Sequence, residues 1–364
     1  MRRVLSLDGG GVRGAVIIAF LEEIERQVAA IAGRSVRLCD WFDLIGGTST
    51  GAIIAAGLAL GHSAADMRDF YRRLAPRVFK RSPWRVLGLQ SKFDAANLMR
   101  ELDGVVGERT LGSADLQTRL AIITKRLDTG SPWVLTNNPA STYWETPPDQ
   151  SFIGNRHYLL KQVLRASAAA PHFFDPQQVA VVAGMPPGLF VDGGVSPFNN
   201  PAIMLTMVAT LPQYGLSFPT GAGHLQIVSI GTGSFRLRLT ERQARNTRAF
   251  AVALRALVAQ LSDAQQQVQA LMSWLGTSPT PWVINSELGD LGAIPGPCQP
   301  LFQYLRYDIC LERQWLQDKL QYEASGKIID RLRRMDDPTM IPELYRLATL
   351  AAQQQIRWND LSGA

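Results

Sequence analysis

Cysteine is scarce in this chain of 364 residues: Cys39, Cys298 and Cys310 make an odd count, irregularly spaced, with no Cys-x-x-Cys. A disulfide scaffold is excluded, and the usage fits a reducing compartment. Histidine is equally rare, with His62, His157, His172 and His224 scattered and none at metal-ligand spacing, so no metal and no cofactor are predicted. Long apolar runs are missing too. Ala52–Leu60 falls far short of the ~18–20 residues that a membrane-spanning helix needs. The start, Met1-Arg2-Arg3-Val4-Leu5-Ser6-Leu7-Asp8, lacks the apolar core and small-residue cleavage site of a secretory signal, so a cytoplasmic product is expected.

What is present describes an ordinary globular protein: 46% hydrophobic and 19% charged residues, 31 glycines and 21 prolines, at a mean hydropathy of −0.01. Disorder and collagen-like repeats are excluded by that composition. The net charge is +6, and 31 of the 37 basic residues are arginine. Arginine suits bidentate phosphate contacts, but codon composition accounts for the excess more simply. No zinc-finger, RNP or basic-zipper pattern supports a nucleic-acid partner.

Val4 to Leu7 reads as a short buried strand, followed by glycines at 9, 10, 11 and 14 and then an apolar helix from Ala15. Phe42 to Ile45, the glycine corner at 46–51 and the helix Ala52–Leu60 repeat the same unit. Further strands are predicted at 120–124, 133–136, 179–182, 189–191 and 226–230, and a helix at 158–170 that Pro171 stops. Alternating strands and helices argue for an α/β fold with a mainly parallel sheet flanked by helices. Beyond residue 235 the pattern changes to helices at 240–275, 311–335 and 341–357. The expected organisation is an α/β core over 1–235 with a mainly helical region, 236–364, packed on it.

Three segments carry chemistry. Gly47-Thr48-Ser49-Thr50-Gly51 is a Gly-x-Ser-x-Gly pentapeptide between strand and helix, where a sharp turn projects a serine hydroxyl clear of the backbone. Taken alone, Ser49 is equally well an ordinary helix cap. Gly9-Gly10-Gly11-Val12-Arg13-Gly14 has two readings. It matches the dinucleotide-binding fingerprint, or it presents the backbone N–H groups of Gly9, Gly10 and Gly11 as an oxyanion hole, with Arg13 as a fixed cation. The fingerprint expects an acidic residue about 20 positions on, whereas Asp40 and Asp43 stand about 30 positions on, which favours the oxyanion reading. The third segment, Phe190-Val191-Asp192-Gly193-Gly194, puts a carboxylate at a strand end. It is either an Asp-Gly turn or a general base, since the C-terminal ends of parallel strands share one edge and would bring Asp192 to Ser49. His224 precedes its strand and should lie at the opposite edge, and His172 reaches the site only if its loop folds inward. A serine–aspartate pair is what remains.

In this order the three segments, together with Ala166-Ser167-Ala168-Ala169-Ala170-Pro171, Asn199-Asn200-Pro201 and Ser229-Ile230-Gly231-Thr232-Gly233, resemble the patatin-like phospholipases over roughly residues 1–235. The resemblance implies a lipid acyl hydrolase working without histidine or metal, with Ser49 as nucleophile, Asp192 as its base, the N–H groups of Gly9, Gly10 and Gly11 as the oxyanion hole and Arg13 as a nearby stabiliser. A dinucleotide-dependent enzyme built on the Gly9–Gly14 loop and a catalytically silent binding protein of the same fold are the alternatives. The implied substrate is a membrane phospholipid. Arg72 to Lys92 carries Arg72, Arg73, Arg77, Lys80, Arg81, Arg85 and Lys92 with no acidic residue, interleaved with Val78, Phe79, Trp84, Val86, Leu87 and Leu89. That composition suits peripheral contact with an anionic inner-membrane surface, or a solvated or packing arm. Stand-alone bacterial members of this length also resemble cyclic-nucleotide-activated effectors of anti-phage defence. Arg236, Arg238, Arg242, Arg245 and Arg248 are the residues that would meet such an activator, unless they form a solvated helix face. Oligomeric state stays open, with a homo-oligomer among the options.

Overall fold

The computed structural model describes residues 1–79, 91–236 and 249–363, and for 249–259 and 261 the backbone alone. Eight strands form one mixed sheet: β1 (Arg2–Leu7), β2 (Leu44–Thr48), β3 (Arg119–Arg126), β4 (Pro132–Thr136), β5 (Gln177–Val179), β6 (Gly188–Asp192), β7 (Leu225–Ile230) and β8 (Gln303–Tyr307). The helices are α1 (Gly14–Ala32), α2 (Leu38–Trp41), α3 (Thr50–Ala59), α4 (Ala64–Val78), α5 (Ala95–Val106), α6 (Leu160–Ser167), α7 (Ala202–Thr210) and α8 (Ala249–Leu275), then α9 (Arg313–Leu320), α10 (Gly326–Leu332), α11 (Ile341–Gln355) and α12 (Trp358–Ser362). Along the sheet the order is β5-β6-β3-β2-β1-β7-β8, with β4 paired to β3. The run β3-β2-β1-β7-β8 is parallel throughout.

Helices cover both faces, as a parallel sheet requires. Leu5, Leu7 and Ile45 join one core with α1, α3 to α6 and α11, while Val4, Leu44 and Ile227 join a second with α7 and α8. The sheet does not stop at residue 235. Strand β8 lies beyond that expected boundary and extends the sheet past β7, while the rest of the C-terminal part is helical and its α11 shares the core with α1.

Helix α3 is buried on every side, which its sequence of alanine, glycine and isoleucine permits. It lies so close to the sheet that a Cβ at Gly47 would sit 2.2 Å from the Gly51 carbonyl carbon, and one at Gly51 would sit 2.3 Å from the Leu7 oxygen. Both glycines are therefore demanded by backbone-to-backbone contact.

One feature of the topology sets the site. Strand β4 takes one edge of β3 over Ala121 to Lys125. Consequently β2 and β6 must share the other edge. They meet on it head-on, with Thr48 opposite Ile123 and Asp192 opposite Thr124. The expectation that Asp192 ends a strand parallel to β2 is thus corrected: β6 runs antiparallel to β3 and arrives from the far side. A Cβ at Gly193 would stand 2.5 Å from the Ile123 oxygen and 2.9 Å from Thr48 Cγ2, so only glycine fits where the two ends collide.

Candidate active site

Ser49 lies between the last residue of β2 and the first of α3, with φ 55° and ψ −122°. This is a left-handed conformation that costs a non-glycine residue about 1–3 kcal/mol and persists only when its surroundings impose it. Here the imposing contacts are visible. The Ser49 N–H donates to Ser167 Oγ at 2.8 Å, and Ser167 Oγ donates to the Ile123 carbonyl at 2.6 Å. Next to it the Thr48 hydroxyl donates to the Phe198 carbonyl at 2.6 Å. Although Ser49 occupies the cap position of α3, its hydroxyl caps nothing. It donates instead to Asp192 Oδ2 at 2.6 Å.

Asp192 accepts a second bond, from Gly194 N–H to Oδ1 at 2.7 Å, and is 5% exposed. Burial pushes its pKa up to about 6, against the opposing pull of the Ser49 and Gly194 hydrogen bonds and the Arg165 charge. A carboxylate so placed is ionised at neutral pH yet basic enough to take a proton from an activated hydroxyl.

The glycine loop abuts this pair: a Cβ at Gly9 would lie 3.3 Å from the Ser49 Cβ and 2.4 Å from Asn199 Oδ1. Its three N–H groups are not equivalent. Gly9 N–H donates to the Asn199 carbonyl at 3.0 Å, which removes it from the expected oxyanion donors. Gly10 and Gly11 N–H have no acceptor among the described residues. The loop is pinned from its other side, where the Gly11 carbonyl accepts from the Thr50 and Tyr71 hydroxyls. Arg13 is buried beside the loop, its Nη1 donating to the Gly233 carbonyl at 2.7 Å and its guanidinium 5.5 Å from the Phe235 ring centroid. Burial lowers its pKa to about 10, which leaves it charged at neutral pH.

Ser49, Asp192, Gly10, Gly11 and Arg13 open onto a cavity of about 1070 Å³. Leu74, Val78, Phe79, Leu98, Phe173 and Phe174 line its apolar side, and Gln265 and Gln269 of α8 its polar side. Among the described residues no histidine lines it, and no group of three or more histidine, cysteine, aspartate or glutamate side chains gathers to hold a metal. His224 stands before β7, whose first residue pairs with Arg2 at the opposite sheet edge. His172 is exposed, with its carbonyl bonded to Lys92 N–H.

The dinucleotide alternative loses its carboxylate. Asp43 precedes β2 and binds Arg3 N–H at 2.8 Å and the Arg2 guanidinium at 2.6 Å, at the sheet edge away from the glycine loop. Asp40 sits at the same end, bonded to Arg37 N–H. Of the basic stretch, Arg72, Arg73 and Arg77 are exposed on α4, Arg77 pairing with Glu101 at 2.9 Å. Lys92 pairs with Asp336, and Val78 and Phe79 face the cavity rather than an outer surface. Lys80, Arg81, Trp84, Arg85, Val86, Leu87 and Leu89 lie outside the described residues, as do Arg238, Arg242, Arg245 and Arg248. Arg236 is held by both oxygens of Glu312, at 2.9 and 3.0 Å.

Sequence reasoning attached no role to Ser167 or to Asn199, whose contacts with Ser49 and Gly9 span long stretches of chain. Their only signal was membership of the Ala-Ser-Ala and Asn-Asn-Pro segments.

The family model described as patatin-like phospholipase matches residues 5–206. A cGAMP-activated phospholipase of Vibrio cholerae serotype O1 is 32% identical over 243 residues, 63% of this chain and 64% of that protein. Another from Escherichia coli strain TW11681 is 30% identical over 236 residues, 63% of this chain and 62% of that protein. Patatin-T5 of Solanum tuberosum is 28% identical over 250 residues, covering 64% and 61% of the two chains. The matched stretch therefore spans less than two thirds of each of these relatives.

Proposed function

Because the chain belongs to the patatin-like phospholipase family, we propose that it is a lipid acyl hydrolase that cleaves ester bonds of membrane phospholipids with a Ser49–Asp192 dyad. The observation that carries this reading is the 2.6 Å hydrogen bond from Ser49 Oγ to Asp192 Oδ2, at a cavity that two unengaged glycine N–H groups also line. Ser49 Oγ attacks the ester carbonyl carbon as its proton passes to Asp192. The oxyanion formed takes hydrogen bonds from Gly10 and Gly11 N–H, with the Arg13 charge nearby. Asp192 returns the proton to the departing alkoxide, leaving an acyl group on Ser49. A water deprotonated by Asp192 then attacks the acyl carbon, and the serine is released with its proton restored. The apolar wall formed by Leu74, Val78 and Phe174 suits the acyl chain. Mass spectrometry of the products from phospholipid vesicles tests the proposal: free fatty acid and lysolipid with the wild type, neither with Ser49→Ala. Intact lipid with the wild type, both with and without cGAMP, would refute it.

Such a substrate must be met at a bilayer, and the exposed arginines of α4 support contact there. Each cation near an anionic surface contributes about 1 kcal/mol. Reversing Arg77, Lys80 and Arg81 to glutamate is expected to weaken binding to anionic vesicles at least about 100-fold. Unchanged co-sedimentation would remove this surface from the reading.

The names of the two bacterial relatives support a second layer, activation by a cyclic dinucleotide. Titration with cGAMP is expected to release heat and raise hydrolysis about 10-fold or more. Because Arg236 is occupied by Glu312, an activator would draw on other residues. No heat and no change in rate would remove the activator.

A further inference from the structure

Strand β8 carries one charged side chain, Arg306, in the run Tyr304-Leu305-Arg306-Tyr307, and it is 2% exposed. Its Nη1 lies 3.1 Å from Asp8 Oδ1 and 2.8 Å from Ser229 Oγ; its Nη2 lies 2.8 Å from Asp8 Oδ2 and 2.9 Å from Asp308 Oδ2. Both aspartates are fully buried. Withdrawing such ions from water costs several kcal/mol each, and well-packed apolar residues often serve stability as well or better. Stability alone is therefore a weak reason for this cluster.

Its connections supply another. Asp8 immediately precedes Gly9, at the entry to the glycine loop. Asp308 Oδ1 accepts from Gly233 N–H at 2.8 Å, and the Gly233 carbonyl accepts from Arg13 at the exit of that loop, at 2.7 Å. Between them Thr232 Oγ1 donates to the Gly9 carbonyl at 2.9 Å, and a Cβ on Gly10 would stand 2.3 Å from that oxygen. Both flanks of the loop are thus referenced to one guanidinium, and Arg13 brings the two buried carboxylates into charge balance. Gly10 and Gly11 N–H, having no acceptor among the described residues, take their direction from these flanks.

We propose that Arg306 is a positioning residue for ester hydrolysis: by bridging Asp8 and Asp308 it holds the turns after β1 and β7 at the spacing that aims Gly10 and Gly11 N–H at the reacting carbonyl. The proposal rests on the hydrolase reading of the site. It gives the C-terminal third of the chain a part in catalysis through β8.

The test uses the full chain, p-nitrophenyl butyrate as substrate, and thermal unfolding. Arg306→Lys keeps the charge, but one ammonium lacks the planar fork that spans Asp8 and Asp308. Misplacement by about 1 Å costs on the order of 100-fold in rate. The expected result is cooperative unfolding, a kcat lowered about 10- to 100-fold, a KM within about twofold of wild type, and an acid limb of the pH profile that does not move, since Arg306 touches neither member of the dyad. Asp8→Asn/Arg306→Gln removes one charge of each sign and should lower kcat at least as far. A folded Arg306→Lys with kcat within twofold of wild type overturns the proposal, as does a shifted acid limb with a raised KM. Loss of cooperative unfolding in both variants overturns it too, leaving the cluster as a fold element alone. Failure of the hydrolase reading looks different: the wild type itself would neither hydrolyse the ester nor be labelled at Ser49 by a fluorophosphonate.

Discussion

Ser49→Gly is expected to lower kcat for ester hydrolysis roughly 10⁴- to 10⁶-fold, and to give a more stable protein than Ser49→Ala by about 1 kcal/mol. The two effects come from separate properties of the residue. Hydrolysis should be lost because the Ser49 hydroxyl is the one that bonds Asp192, while the neighbouring Thr48 and Ser167 hydroxyls donate to backbone carbonyls instead. The stability difference comes from the backbone. At φ 55° and ψ −122° alanine carries the same penalty as serine, while glycine adopts this region freely. Calorimetric or chemical unfolding of the two inactive variants measures the strain directly. Equal stabilities would show that the elbow is relaxed and that the bonds from Ser167 and Thr48 do not hold it against a preference.

Asp192→Asn is the second large effect, and it too separates function from stability. Activity should fall about 100- to 10,000-fold through loss of the general base. In the wild type, kcat/KM should fall on an acid limb near pH 6, where the Asp192 carboxyl titrates. The sign of the stability effect follows from the same shift. Burial raises the folded pKa from 3.8 to about 6, so between those values the native state binds more protons than the unfolded chain. Stability contributed by this group is present at low pH and lost as pH rises through about 6, a difference on the order of 3 kcal/mol by neutrality. Asparagine removes the ionisation, so the variant should melt a few degrees higher at pH 7.5 and show little gain at pH 4. A lower melting temperature at neutral pH would mean that the carboxylate is better solvated than its burial implies.

What could be read from the amino-acid sequence was what local backbone demands impose. Gly47, Gly51 and the triple glycine announce positions where a Cβ has no room, and these mark the turn at Ser49 and the loop beside it. Asp192 was legible as a strand end, but its direction was not, because that depends on pairing with β3 across more than sixty residues. Gly9 departs from its expected role for a similar reason: whether its N–H is free depends on where the carbonyl of Asn199 falls. Strand β8 has no clear signature in the sequence because Arg306 interrupts the apolar run that identifies a buried strand. Its charge partner, Asp8, stands 298 positions away, beyond the reach of any periodicity. Ser167 shares this character, being a small polar residue in a small-residue helix until the elbow is folded against it.

The meeting of β2 and β6 on one edge of β3 makes that third strand a ruler. Ser49 and Asp192 are separated by 143 positions of chain, yet their spacing is counted in rungs of a single hydrogen-bond ladder. A change in the length of the loops between them would leave the pair in place, because the ladder sets the spacing. A slip of one rung in β6 is different, since side chains alternate between faces of a sheet. It would turn the carboxylate away from the serine and carry a side chain into the place that only Gly193 fits, so the register of five residues, Gly188 to Asp192, is what the site holds fixed.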